Sequence, residues 1–178
     1  GHSSLEYGLA INSKNNVVMI VWEEDFGYCS NVSGVWYRNG ELYQEQQELV
    51  NNTLHNHAPK IALKNSGGWY LACIDTEPYM NIVESVLDND YTSSTYLQET
   101  LTTEQIKIKN VYTDNFNNFS VCTDNLDGLR LFYDSVTNEA KSSTYGTYID
   151  NKYEQVAVYG ENLQDTQLIA RQDLLLVG

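Results

Sequence analysis

The feature that most constrains the fold is a faint repeat of strand-like segments that occurs four times along the chain. In each copy a short apolar segment leads into a polar turn, and a longer apolar segment follows that ends near an acidic residue. The second copy is the clearest, with apolar residues 61–63, a turn over 64–68 and apolar residues 69–74 before Asp75. An asparagine occupies each of the four turns: Asn12, Asn65, Asn115 and Asn162. Successive asparagines are 53, 50 and 47 residues apart, a spacing that indicates a repeat architecture.

Two more strand-like segments follow each of the first three copies. They are rich in Val, Ile, Tyr and Thr, which favour strands over helices. In the first copy Asn39-Gly40 joins them, and this dipeptide is a strong hairpin signal. Residues 44–49 have helical propensity, yet their place in the repeat predicts an outer strand. The segments of the other two copies are residues 81–87, 94–100, 128–133 and 144–149.

Four antiparallel strands per unit predict an all-β fold of four blade-like units, arranged as a small β-propeller. The fourth unit ends after its third segment, residues 174–177, and residues 5–7 stand where an outermost strand is needed. We therefore expect the N-terminal strand to close the ring, which removes an open sheet edge. A β-sandwich and a fragment of a larger propeller are the alternatives.

The chain length is that of one domain. Residues 1–4 look like the scar of an expression vector, so residues 5–178 are expected to form a single all-β domain. The repeat units are expected at about residues 8–52, 59–102, 106–151 and 153–178. The expected core residues are Trp22, Trp69, Leu71, Cys73, Val121, Phe132 and Leu168. Trp36 is expected either in the core or at the rim.

The pattern resembles the loose blades of sialidase-like and kelch-like propellers of bacteria and viruses, across nearly the whole chain. The resemblance rests on period and pattern. The chain lacks the Ser-x-Asp-x-Gly-x-Thr-Trp box of sialidase repeats, and the kelch-type double glycine occurs only at Gly67-Gly68. The resemblance implies a ligand site formed by the loops between second and third strands and by the connections between blades.

Those loops carry acidic, aromatic and histidine side chains that would meet on one rim of a propeller. Aromatic rings pack against the apolar faces of sugars, and carboxylates accept hydrogen bonds from sugar hydroxyls. The residues predicted to bind the ligand are Glu24, Asp25, Tyr28, His55, His57, Asp75, Glu77, Tyr79, Asp124 and Asp127.

The composition favours recognition over catalysis. A net charge of -14 disfavours nucleic acid as a partner, and no apolar run approaches the roughly 20 residues of a membrane helix. The 14 tyrosines supply the adaptable chemistry of binding surfaces. We therefore expect a non-catalytic recognition module that binds a glycan or a cell-surface ligand. It would be part of an extracellular or viral surface protein, and its oligomeric state is not indicated.

Two other functions stay open. A propeller-type glycoside hydrolase, or a fragment of one, would need two carboxylates roughly 5 to 9 Å apart, and Glu24 and Asp75 are the candidate pair. A protein-docking scaffold would use the clustered carboxylates to attract a basic partner.

No cofactor is predicted. Asp88-Asn89-Asp90 is a weak candidate for Ca²⁺, and His55-x-His57 supplies only two ligands of a zinc site. The three cysteines are an odd number without metal-site spacing, and Cys73 and Cys122 are expected to act as small buried hydrophobes.

Overall fold

The computed structural model describes residues 3–12, 16–52, 55–75, 79–107, 119–137, 140–149, 152–160, 168–171 and 174–177. Within these residues every regular element is a β-strand. Sheet 1 contains β1 (Ser3–Asn12), β2 (Val17–Asp25), β3 (Ser30–Arg38) and β4 (Glu41–Val50). Sheet 2 contains β5 (His57–Leu63), β6 (Trp69–Ile74), β7 (Tyr79–Leu87) and β8 (Glu99–Lys107). Sheet 3 contains β9 (Phe119–Thr123), β10 (Leu129–Thr137), β11 (Ala140–Ile149) and β12 (Lys152–Gly160). Sheet 4 pairs β13 (Leu168–Arg171) with β14 (Leu174–Val177).

In sheets 1 to 3 the strands follow one another in chain order, each antiparallel to the next. The all-β fold and the four-stranded antiparallel units are therefore confirmed for these three sheets. Asn39 and Gly40 have φ angles of 54° and 81°, as a type I′ hairpin turn requires. The expected outer strand at residues 44–49 lies within β4, so strand pairing overrides the helical propensity of this segment.

The connections between strands define two ends of the molecule. The lower end contains residues 26–29 between β2 and β3, residues 51–52 and 55–56 between β4 and β5, and Asp75 after β6. The upper end contains residues 39–40, 64–68 and 88–98, which join β3 to β4, β5 to β6 and β7 to β8.

The last strand of sheet 2 lies later in the chain than predicted. Residues 94–97 form turns, and β8 begins at Glu99. The side chain of Asp90 accepts the backbone N–H of Thr92 (2.9 Å), and that of Asp88 accepts the backbone N–H of Asp90 (2.9 Å). Such local bonds compete with strand pairing, which explains why this Thr- and Ser-rich segment is not a strand.

Within the described residues, sheet 3 begins one strand later in the chain than predicted. The sequence predicts residues 119–123 as a second strand, after a first strand at 111–113 that lies outside the described residues. Among the residues that the structure describes, β9 is the first strand of the sheet. The backbone N–H of Asp124 donates a hydrogen bond to the carbonyl oxygen of Gly128 (3.0 Å) and closes the turn 124–128. The equivalent hydrogen bond from Lys64 to Gly68 (2.8 Å) closes the turn 64–68. The turn after β9 therefore matches the turn after β5.

The predicted start of the fourth unit also differs from the structure. Residues 156–158 lie within β12, which pairs with β11 as the outer strand of sheet 3. Only two residues separate the two strands, a length that favours an antiparallel hairpin. The first strand of sheet 4 is instead β13.

Within the described residues the N-terminal segment pairs only with sheet 1, and the predicted closure of the ring is not confirmed. Residues 5–7 belong to β1, which pairs with β2 from Ser3 opposite Asp25 to Asn12 opposite Val17. Ser3 and Ser4, which were excluded from the predicted fold, are part of this strand.

The sheets pack face to face in sequence order. The first strands are neighbours: β1 packs beside β5, β5 beside β9, and β9 beside β13. Gly8 allows β1 to approach β5 closely, because a Cβ atom there would lie 2.8 Å from the carbonyl oxygen of Pro59. Sheet 2 is covered on both faces, and all six residues of β6 are buried.

Within the described residues this packing forms two hydrophobic cores. Sheets 1 and 2 enclose Met19, Val21, Trp36, Trp69 and Leu71, among others, and sheets 2 and 3 enclose Tyr70, Ile74, Met80, Leu131 and Tyr148, among others. Of the predicted core residues, Trp69, Leu71, Cys73 and Phe132 are fully buried, and Val121 packs against the second core. Trp36 is buried as well. Trp22 is only half-buried, on the far face of sheet 1, and the side chain of Leu168 lies outside the described part.

An ion pair holds the upper end of the interface between sheets 1 and 2. We call its residues, Trp36, Arg38, Trp69 and Glu99, the indole–guanidinium cluster. Arg38 Nη2 donates to Glu99 Oε1 (2.9 Å) and to the carbonyl oxygen of Gly67 (3.1 Å). The two indole rings meet edge to face with centroids 5.2 Å apart. Burial raises the pKa of Glu99, although Arg38 and the nearby indole N–H groups act to lower it.

Candidate functional site

The structure brings most of the predicted site residues to one end. Glu24, Asp25, Tyr28, His55, His57, Asp75 and Tyr79 lie at the lower end, and Glu77 lies outside the described residues. Because β2 and β6 run in the same direction through neighbouring sheets, residues 26–29 after β2 and Asp75 after β6 lie at the same end.

Asp124 and Asp127 are at the opposite end, so the predicted shared rim is wrong for these two residues. Both oxygens of Asp127 accept backbone N–H groups of the upper turn 64–68, from Asn65 (2.6 Å) and Ser66 (2.9 Å). Asp124 accepts the N–H groups of Leu126 and Gly128 within its own turn, both at 2.9 Å. These carboxylates hold turns and tie sheet 3 to sheet 2. The shift of the repeat by one strand explains the misplacement.

The centre of the lower end is a carboxylate surrounded by amides. Asp75 is 1% exposed, and its Oδ2 atom accepts hydrogen bonds from the side chains of Asn52 (3.3 Å), Asn81 (3.3 Å) and Gln105 (2.5 Å). The donors come from three elements: the connection before β5, strand β7 and strand β8. Hydrogen bonds to a charged group are stronger than neutral ones, so this arrangement stabilises a buried carboxylate.

Asn56 extends this network to sheet 1. Its Nδ2 atom donates to the carbonyl oxygen of Ser30 (3.0 Å) and to Oδ1 of Asn52 (2.6 Å), and its Oδ1 atom accepts from Asn81 (2.8 Å). We call Asn52, Asn56, Asp75, Asn81 and Gln105 the amide cluster. It links the start of β3 to the connection before β5, since Ser30 also forms a parallel bridge with His55.

Two further buried groups lie beside the cluster. Glu23 is 4% exposed and lies on the face of β2 that packs against sheet 2. Burial raises the pKa of the Cys73 thiol, and the charges of Asp75 and Glu23 raise it further. Cys73 is therefore a protonated core residue, as expected for a small buried hydrophobe, and not an activated nucleophile.

Exposed side chains surround the cluster. Tyr28 is 79% exposed on the loop after β2, and His55 is exposed on the connection before β5. Tyr79 and His57 are half-buried at the starts of β7 and β5. The lower end thus combines fixed amides with projecting rings.

Glu24 points away from this site. Its carboxylate accepts bonds from Trp22 Nε1 (2.9 Å), Gln46 Nε2 (3.1 Å) and Ser33 Oγ (3.3 Å) on the far face of sheet 1. Because successive residues of a strand face opposite sides, Glu23 and not Glu24 shares the interface with Asp75. Asp25 accepts the N–H of Gly27 (2.7 Å) and shapes its own turn.

Sequence reasoning missed the amides. Asn81 was detectable in principle, because it is a polar residue between Met80 and Ile82 in an otherwise apolar strand. Asn52, Asn56 and Gln105 carry no local signal, since polar residues are ordinary in loops and outer strands.

The weak metal candidates have other partners. Asp88 and Asp90 bond within their own loop, and hydrogen bonds from Thr95 to Asp88 and from Thr92 to Asp90 lower the pKa of each carboxyl. In the part of the chain that the structure describes, no group of three or more His, Cys, Asp or Glu side chains is placed to hold a metal ion. The same part contains no helix long and apolar enough to cross a membrane.

No protein-family model and no curated protein matches this chain.

Proposed function

We propose that the chain is a non-catalytic recognition module of propeller type that binds a glycan at its lower end. The proposal on the fold is supported by the face-to-face packing of successive four-stranded sheets and by the neighbouring first strands β1, β5 and β9. An extracellular or virion surface, where glycans are displayed, is the proposed location.

The amide cluster is the observation that carries the binding proposal. Amide and carboxylate groups are the usual partners of sugar hydroxyls, because they accept and donate in fixed directions. Asn52 is half-buried and Gln105 is exposed, so the network around the buried Asp75 extends to solvent. A network that is fixed before binding lowers the entropic cost of ordering the site.

The exposed aromatic rings supply the apolar contact that a glycan site also needs. The aromatic ring of Tyr28 projects from a loop whose other end is fixed to Asn56 through Ser30. A ring in this position can pack against the apolar face of a sugar whose hydroxyls bond to the amides. The hydrolase alternative loses its candidate pair, because Glu24 faces away from Asp75.

The test is a glycan-array screen of the wild-type chain, with Ca²⁺ and with a chelator, followed by titration of each hit. Tyr28→Ala is expected to weaken binding by roughly tenfold or more, as loss of a central aromatic contact does. Tyr91→Ala is the matched control, because Tyr91 is 83% exposed at the upper end. Mass analysis of the hits is expected to show intact glycans.

Three results would overturn the proposal: no glycan bound by the wild type, equal losses in the two tyrosine variants, or cleavage of the glycan. Binding of a protein in place of any glycan would favour the docking scaffold.

A further inference from the structure

The hydrogen-bonding groups at the solvent edge of the amide cluster constrain the kind of glycan that it can bind. Gln105 is an exposed member of the cluster, and its Nε2 atom donates to Oδ2 of the buried Asp75 (2.5 Å). Because a carboxylate oxygen only accepts, this bond fixes the orientation of the Gln105 amide and leaves its Oε1 atom as an acceptor. Among the described residues no donor bonds to that oxygen. The cluster therefore presents to solvent an acceptor that suits a ligand with a hydrogen-bond donor.

The carboxyl groups around the cluster favour the same kind of ligand. The acidic side chains that sheets 1 and 2 place at the lower end are Glu23, Asp25, Glu48 and Asp75. Glu48 is exposed near the end of β4, and its Oε2 atom accepts from the side chain of Asn51 (3.3 Å), the residue before Asn52 of the cluster. An anionic group brought to this end would therefore meet charges of its own sign.

The cations that could offset these charges lie elsewhere in the described part of the chain. Those that form ion pairs are at the upper end: Arg38, Lys64, Arg130 and Lys152. Lys60 lies in the middle of β5, and β8 ends with Lys107, whose side chain is outside the described part. No described arginine or lysine side chain at the lower end is thus available to pair with an anionic ligand.

We propose that the lower end selects neutral glycans and excludes sugars that carry a carboxylate or a sulfate. This inference rests on the glycan function proposed above and names the class of glycan. A sugar hydroxyl donates to Gln105 Oε1, whereas carboxylate and sulfate oxygens only accept. An anionic sugar would also lose hydration near the Asp25 and Glu48 carboxylates without gaining a described cation as a partner.

Matched pairs of glycans test the selectivity of the wild-type chain. Each pair contains a neutral oligosaccharide and the same oligosaccharide with a terminal sialic acid or a sulfate. The neutral member is expected to bind tighter by roughly tenfold or more at about 0.05 M NaCl. The ratio is expected to shrink at about 0.5 M NaCl, because salt screens the repulsion.

The methyl ester of the sialylated glycan separates charge from size. It is about as bulky as the acid but carries no charge. The ester is expected to bind more tightly than the free acid, at an affinity closer to that of the neutral glycan. Equal rejection of ester and acid would mean that shape and not charge excludes the anionic sugar, and it would overturn the proposal.

Glu48→Gln removes one of the lower-end charges and keeps the shape of the side chain. The ratio of neutral to sialylated affinity is expected to fall by about two- to threefold, as loss of one nearby charge in water predicts. Glu41→Gln is the matched control, because Glu41 is an exposed residue at the upper end of the same strand, and it is expected to leave the ratio unchanged. Gln105→Ala is expected to weaken binding of the neutral glycan by about fivefold, the loss of one hydrogen bond.

The outcomes separate this inference from the function on which it rests. Equal binding of the two members of a pair, or preference for the anionic member, overturns the inference and leaves the glycan function standing. Equal effects of Glu48→Gln and Glu41→Gln on the ratio overturn it as well, since the selectivity would not arise at the lower end. If no glycan binds, the proposed function fails and the inference fails with it.

Discussion

The interface between sheets 1 and 2 contains two polar clusters, and each stabilises a buried carboxylate in a different way. In the indole–guanidinium cluster Glu99 is paired with a cation, Arg38. In the amide cluster Asp75 is surrounded by the neutral side chains of Asn52, Asn81 and Gln105. An apolar layer that includes Leu71 and Val83 separates the two.

The difference indicates different roles. The ion pair joins strands β3 and β8 of two sheets. Among the described residues, Trp36 Nε1, Trp69 Nε1 and Glu99 Oε2 have no hydrogen-bond partner of ordinary geometry. This cluster holds two sheets together at a cost in desolvation. The amide cluster joins loops to strands and continues to exposed groups, as a binding site requires.

The largest effect is expected from Arg38→Met, which leaves the Glu99 carboxylate buried without its cation. The side chains of Arg38 and Glu99 are 13% and 6% exposed, so the pair is mostly shielded from water. We expect the free energy of unfolding to fall by about 3 kcal/mol or more, measured by urea denaturation.

Two controls accompany this variant. Adding Glu99→Gln to Arg38→Met is expected to recover part of the loss, because it removes the buried charge. Lys152→Met breaks the exposed pair with Glu154 and is expected to have no measurable effect. If Arg38→Met lowered the free energy of unfolding by less than about 1 kcal/mol, the Arg38–Glu99 ion pair would be behaving like a surface pair.

Asp75→Asn is expected to have the next largest effect. It replaces the charged acceptor of three amide donors with a neutral amide, and we expect a loss of about 2 kcal/mol in the free energy of unfolding. Glycan binding is expected to weaken with it, whereas Arg38→Met leaves binding to the folded protein unchanged. Asp25→Asn at the same end is the control and should destabilise less. If Asp75→Asn were neutral in both assays, the amide cluster would have no structural or binding role.

A smaller effect is expected from pH. Burial raises the pKa of Glu99 above its ordinary value of 4.5, so the folded chain binds this proton more tightly than the unfolded chain does. Stability is therefore expected to rise as pH falls from neutral through the raised pKa toward 4.5, and to be lost again as pH rises. Glu99→Gln lacks this contribution, so the difference between wild type and variant isolates it. A difference of the opposite sign would show that Arg38 outweighs burial.

The smallest effect concerns thiol reactivity. Cys73 is fully buried beside the amide cluster with a raised pKa, whereas Cys122 is half-buried. In native conditions a thiol reagent is expected to label Cys122 first, and Cys73 only when the lower end opens. Asp75→Asn is expected to accelerate the labelling of Cys73 and to leave that of Cys122 unchanged. Equal acceleration at both sites would indicate global unfolding.

The sequence predicts the local elements of this comparison well. Apolar segments rich in Val, Ile and Tyr and the Asn39-Gly40 turn predicted the strands of sheet 1, and the polar segment 44–49 was correctly placed as an outer strand. The sequence did not predict which position of the repeat each strand of sheet 3 occupies, because strand–turn–strand patterns look alike at every position. It also favoured Glu24 over its neighbour Glu23, although only Glu23 is buried against sheet 2.

By itself, then, the sequence determined that this chain forms antiparallel sheets of about four strands each, since strand propensity and turn residues act locally. The tertiary structure decided which residues meet. Asp127 pairs with the turn 64–68, Arg38 with Glu99, and Asp75 with three amides from other elements. These partners are brought together by the packing of one sheet on the next, a long-range contact that no local pattern specifies.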